Sequence, residues 1–499
     1  MIFPCPLALC LIIFLSRLVV SFPANRSDRN RASLARPSDA SDVTTNAIRS
    51  SMLLQKLSLS DRKPPIYIHQ SQESMRLMTR DQATTVDAKT FIAGKIVFNF
   101  ACKLPKYEDA ALSESRKTIC NLVETGLTRA AVRIQQILNL QTPITVSATF
   151  ESNCLQESVD AQSLSDCKWN KVLGAAAPSG WHDLHSEGLL HDEFLYPTAL
   201  ARQYFPNNTS IQGVSDINVN LNSDSPWWFP TENNPHGEGS GNGGSYGPPL
   251  IRTRTFEFGI GLVDPTEPHV RDENLLPSDK VYDFEQTAIH EIMHGLGFVS
   301  AWGPHLDDVL LPSSPVLLSN ETGSGKIVSL GKSYIFDRTL EHTGTRTLMS
   351  EYAAAMRAEA ENISKLVNEQ SSEILDDVHL LSAWRESFLK SPAGKLGQTL
   401  QNGVASTPMQ LLFWYKSGYS IHLEEQFSYA ILYTPRVYDG GSSLSHIDAS
   451  VYGSTKDYLM RPFCTTGSGI DALTPHQRGI GVLGTVVVGM LRQMGYTTH

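Results

Sequence analysis

Residues 283–295 read Asp-Phe-Glu-Gln-Thr-Ala-Ile-His-Glu-Ile-Met-His-Gly, and no other stretch restricts the fold as tightly. Asp283 followed three residues later by Gln286 is a capping-box pattern, and Phe284, Ala288 and Ile292 fall on one apolar face, so the stretch is expected to be a buried-face helix. His290 and His294 are one turn apart, and their imidazoles leave the helix on the same side, able to share one metal ion. Glu291 lies one residue round, beside that position but free of it. Zinc hydrolysis needs this geometry: a metal to polarise a carbonyl and acidify water, and a carboxylate to carry the proton. Gly295-Leu-Gly297-Phe298 then ends the helix where such a segment has to turn.

Two histidines leave a catalytic zinc one protein ligand short. Six residues after His294 stands Ser300, and the nearby acids Asp307, Asp308 and Glu321 lie in Pro-, Ser- and Gly-rich sequence, so the third ligand is expected from farther along. Gly440-Gly-Ser-Ser-Leu-Ser-His446-Ile-Asp448 offers an imidazole, and Asp457-Tyr-Leu-Met460-Arg-Pro462 follows it. This arrangement resembles the leishmanolysin-like branch of the metzincin zinc endopeptidases, in which an insertion separates the helix from the third histidine and a Met-containing turn lies beneath the metal. His290, Glu291, His294, Gly297, His446 and Met460 each match that pattern. The resemblance covers mainly Val172 to Gly297 and Tyr433 to Tyr496, with Leu195-Tyr-Pro-x-Ala199-Leu-Ala and Asp216-Ile-x-Val-x-Leu-Asn222 similar to the segments leading to the active helix and forming its substrate-side strand. It implies a Zn2+ ion held by His290, His294 and His446, Glu291 as general base, and protein or peptide substrates. The fold it implies is α+β, a metzincin-like two-subdomain zinc protease with a long, largely helical insertion between the second and third ligands.

The remaining chain fits that plan. Met1 to Ser21 reads as a secretion signal, with an uncleaved membrane anchor as the alternative, and residues 22–89 as a leader or pro-segment. Residues 90–298 form the expected N-terminal catalytic subdomain, 299–430 the insertion, and 431–499 the C-terminal subdomain. Strands are expected at Phe91–Phe100, Ile144–Phe150, Ile217–Leu221 (as an edge strand) and Phe256–Leu262, and helices at Thr118–Leu138 and around Pro197–Tyr204. Met349–Asn368 and Asp377–Leu389 carry the helical pattern of the insertion. Gly237 to Gly247 reads as a flexible connection. The apolar run Ile480–Leu491 is too short to span a bilayer, which takes about 18 residues.

Cys102 with Cys120 and Cys154 with Cys167 are the locally favoured pairs, leaving Cys464 free or paired elsewhere. Asn25, Asn207, Asn208, Asn320 and Asn362 begin glycosylation triplets expected on exposed loops. His182, His185 and His191 lack a helical period and read as an ordinary polar loop. With 41 basic against 51 acidic residues and a net charge of -10 in 499 residues, the chain repels phosphate backbones, and nucleic acid is not expected as a partner. The rival function is a secreted binding or adhesion protein with a structural metal, against which Glu291 argues, since a structural site needs no general base.

Overall fold

Gly94 divides what the periodicity presents as one strand. It takes φ 62°, a conformation open to glycine without steric penalty, and folds Thr85–Ala93 (β1) back antiparallel onto Ile96–Leu104 (β2), with Ala93 opposite Ile96. The two-residue hairpin was hidden in the sequence by apolar residues running on both sides of it. The computed structural model describes residues 66–67, 85–104, 110–153, 172–184, 191, 193–208, 211, 213, 215–229, 281–319, 326–371, 376–419, 425–464, 466, 470 and 481–499. All of these lie in one compact unit, Ser50–His499.

From β2 the chain crosses through a helix, Ala110–Gln135 (α1), to a parallel strand, Ile144–Glu151 (β3). Ile217–Asn222 (β5) pairs parallel with β3, and Gly174–Pro178 (β4) pairs antiparallel with β5, so the sheet order is β1-β2-β3-β5-β4. Segment 217–222 is therefore an interior strand, where the alternation of apolar residues and Asn suggested an edge. The edge is taken by Gly-Ala-Ala-Ala-Pro, whose composition carries little strand propensity. Ile96, Phe98, Phe100 and Cys102 on β2 alternate with half-exposed residues and are buried in the core. A disulfide from Cys102 to Cys120 ties β2 to α1, with the Cα atoms 5.9 Å apart. Cys154 and Cys167 lie outside the described residues, as do the expected signal, most of the leader, the Gly-rich connection and the strand at 256–262.

The short helix α2 (Thr198–Tyr204) precedes in sequence the helix Phe284–Gly295 (α3), every residue of which is buried. Asp283 caps α3 by accepting from Gln286 N. The helix packs against β4, β5 and α1. On α1, Arg129 Nε donates to Glu285 Oε2 at 2.8 Å and Arg133 pairs with Glu285 Oε1, so a wholly buried carboxylate meets two cations at the helix start.

The segment 299–430 contains helices at both expected places, Met349–Gln370 (α4) and Asp377–Lys390 (α5), followed by Pro392–Leu400 (α6). It also carries strands, against the expectation of a largely helical insertion. Gly303–Leu306 pairs with Val309–Leu311, and Pro315–Ser319 with Lys326–Leu330. Leu411–Tyr419 (β6) and Glu425–Ile431 (β7) join Leu340–His342 and Thr347–Leu348 in a four-stranded sheet. Apart from β6 and β7 these strands run only two to five residues, too few for a period to register. The architecture is mixed α+β with several small sheets. Asn362 lies within α4, with Ser364 of its triplet buried and accepting from Val328 N, so this triplet is not on a loop. Asn207 sits in an exposed turn. The apolar C-terminal run forms Gly484–Met494 (α7), which packs into the core. Among the described residues, no helix is long and apolar enough to cross a membrane.

Candidate metal centre

Helix α3 presents His290 and His294 from adjacent turns, and the chain after it turns sharply at Gly297, φ 99°. The turn brings Phe298 O to 2.7 Å from His294 Nδ1. His290 Nδ1 lies 2.8 Å from Leu459 O, in the turn Tyr458–Met460, and His446 Nδ1 lies 2.7 Å from Ser442 O. A carbonyl can only accept, so each of the three rings carries its proton on Nδ1 and turns a bare lone pair outward at Nε2. Those three nitrogens converge: His290 and His446 each lie 3.1–3.2 Å from His294 and from one another. Three acceptors at that separation have no proton to share. Imidazoles bound at 2.0–2.1 Å to one tetrahedral zinc stand about 3.3 Å apart at their donor atoms, so the observed triangle fits such an ion. The three residues form the one group of this kind among the described residues.

Burial keeps the imidazoles neutral, the state a metal requires. It pushes His290 down to about 4 and His294 to about 3, the latter helped by His290 beside it, and holds His446 well below its usual range. Burial acts oppositely on Glu291, pushing its carboxyl up to about 8. Strand β4 lies against this side chain: a Cβ on Gly174 would stand 3.0 Å from Glu291 Cγ, so a larger residue there would press on the Glu291 side chain.

The loop with His446 is stitched on both sides. Tyr433 N donates to His446 O at 2.7 Å, and Ile447 N donates to Met460 O at 2.9 Å. Met460 is fully buried in the turn that packs against α3. Leu444, two residues before His446, holds φ 68°, a left-handed conformation uncommon for a branched side chain. The sequence reading thus named three histidines that the fold brings together across the 151 residues between His294 and His446. It could not name the three carbonyls orienting them, because any residue type supplies a carbonyl.

Ser300 donates from Oγ to Asp337 Oδ1 at 2.6 Å, and Asp307 pairs with Arg385 on α5. His182 is bonded to Thr198 Oγ1 at 3.0 Å, and His191 Nε2 accepts from Arg338 at 2.8 Å, so these two do not form a second metal group; His185 lies outside the described residues. Cys464 is a free thiol near Gln286 and Thr287, and burial pushes it up to about 11.

A family model described as SPBPB7E8-like matches residues 66–240 and 422–499, just over half of the chain. The matched segments include His446 and Met460 and leave out α3. A protein of Schizosaccharomyces pombe described as "Uncharacterized protein PB7E8.01" is 23% identical over 436 residues, 81% of this chain and 62% of the relative. The chain thus spans less than two thirds of that relative's length. No solved structure matches it.

Proposed function

The chain belongs to the SPBPB7E8-like family, and we propose that it is a zinc-dependent endopeptidase of leishmanolysin-like, metzincin type, exported from the cell and acting on protein or peptide substrates. The observation that carries the reading is the convergence of three imidazole Nε2 atoms, with a buried carboxylate on the residue that follows the first of them. A structural metal site needs no such carboxylate.

His290, His294 and His446 hold the metal. When bound there, zinc supplies polarisation of the scissile carbonyl and acidification of water. Glu291 takes the proton of the attacking water on its carboxylate and delivers it to the departing amine nitrogen. Strand β4, which ends its sheet among the described residues, is where an extended substrate would pair. Residues 1–21 act as the signal and 22–89 as a leader whose last residues, from Thr85, already belong to β1, and the Cys102–Cys120 disulfide accords with an oxidising compartment.

The test is metal analysis of the purified chain together with cleavage of an unfolded protein substrate. One zinc per chain and chelator-sensitive cleavage restored by zinc are expected. Stoichiometric zinc without cleavage would favour a binding protein with a structural metal.

A further inference from the structure

Ser300 stands six residues after His294, and its contacts lead to His446. Ser300 N donates to Ser445 Oγ at 3.1 Å, and Ser445 immediately precedes His446. Ser300 Oγ donates to Asp337 Oδ1 at 2.6 Å, while Asp337 Oδ2 accepts from Ala301 N at 2.9 Å and Tyr334 N at 3.2 Å. Asp337 itself has no exposure. Trp302 N closes the turn by donating to Ser300 Oγ at 3.1 Å. Around these bonds Tyr334 stacks on Trp181, ring centroids 3.5 Å apart, and both pack with Leu195 and Ala301. The carboxylate comes from the segment inserted between the second and third ligands.

We propose that Asp337 is a positioning residue for the third metal ligand. Its carboxylate fixes residues 300 and 301 against the wall formed by Tyr334 and Trp181, and residue 300 in turn fixes the Ser445 hydroxyl and the start of the His446 turn. The inserted segment thereby contributes to metal affinity without touching the ion. Groups one bond removed from the ligands commonly set metal affinity 10- to 100-fold. Asp337 acts at one further remove, through Ser300. The inference rests on the metal reading of the three histidines, though not on the peptidase reading.

The experiment measures zinc affinity by competition with a chromophoric chelator, and the visible spectrum of the cobalt(II)-loaded protein, for the full chain and for Asp337→Asn, Ser445→Ala and Leu381→Ala. Leu381 is buried in α5, away from these contacts, and its truncation destabilises the fold without touching the relay. Expected are zinc affinities lowered about tenfold or more in Asp337→Asn and by a smaller factor in Ser445→Ala, each with a changed cobalt spectrum, and no change of either in Leu381→Ala. Should Asp337→Asn fail to fold, Ser445→Ala against Leu381→Ala decides. Wild-type affinity and spectrum in the folded relay variants, or equal weakening in Leu381→Ala, overturn the proposal. A parent chain that takes up neither zinc nor cobalt removes the metal reading, and the relay with it.

Discussion

Replacing Glu291 by Gln preserves the volume and shape of the side chain while removing the basic carboxylate. We predict that Glu291→Gln binds zinc as the parent does and turns over substrate ~100-fold more slowly or worse; activity within a few-fold of the parent would dispose of the proton-carrying role. His290→Ala, His294→Ala and His446→Ala should each lose both metal and activity, because two imidazoles hold a catalytic zinc poorly. Full zinc content in any one of them, read by metal analysis, would place the ion elsewhere. These four side chains were legible for different reasons. His290, Glu291 and His294 follow from helical spacing alone, whereas His446 was found through a family pattern, since no local period connects it to α3. Leu459, Phe298 and Ser442 act through main-chain oxygen and leave no trace in residue type. Asp337 is a single carboxylate in an unremarkable stretch, and only the folded chain shows what it holds.

The start of α3 depends on a charge cluster that periodicity could not reveal, because Glu285 lies one residue from an apolar position and its partners are more than 150 residues earlier. Glu285 is fully buried, while Arg129 and Arg133 retain about a quarter of their side-chain exposure. Removal of the two sides is therefore not equivalent. The double change Arg129→Ala, Arg133→Ala strands a charge in the core and should cost about 3–5 kcal/mol. Glu285→Gln leaves two guanidinium groups that can turn to water, and should cost less. Urea unfolding of the two variants measures the difference, and a larger loss in Glu285→Gln would mean that the arginines, not the carboxylate, bear the burial penalty. The same dependence on context decided the strands. Gly174–Pro178 is a strand because β5 and α3 give it neighbours, and Ile217–Asn222 is interior because that segment covers its other side.

At the scale of the whole molecule, the groups displaced from their ordinary protonation set how stability changes with pH once metal is removed. Burial pushes Asp283 and Asp337 up to about 7 and Glu291 to about 8. The folded chain thus keeps protons on three carboxyls that the unfolded chain releases above about pH 4. His182 is pushed down by burial to about 4, and His305 and His342 are also lowered, which places them with the three ligand histidines. The unfolded chain protonates these histidines below about pH 6.5, and the folded chain resists, most firmly at His182, His290, His294 and His446. Below that pH the histidines outnumber the carboxyls, the unfolded state binds more protons, and stability falls as pH falls. Above it the imidazoles are neutral in both states and only the carboxyls contribute. There the folded state binds more protons, so stability falls as pH rises, by about 1.4 kcal/mol per pH unit for each carboxyl still protonated. The metal-free protein should therefore be most stable near pH 6.5 and lose stability from there to pH 8, first through all three carboxyls and, beyond about 7, chiefly through Glu291. Urea titrations of chelator-treated protein at half-unit steps across that interval provide the measurement. Stability constant or increasing from pH 6.5 to 8 would show that these carboxyls are already ionised in the fold, and that burial around the metal helix is weaker than its side chains imply.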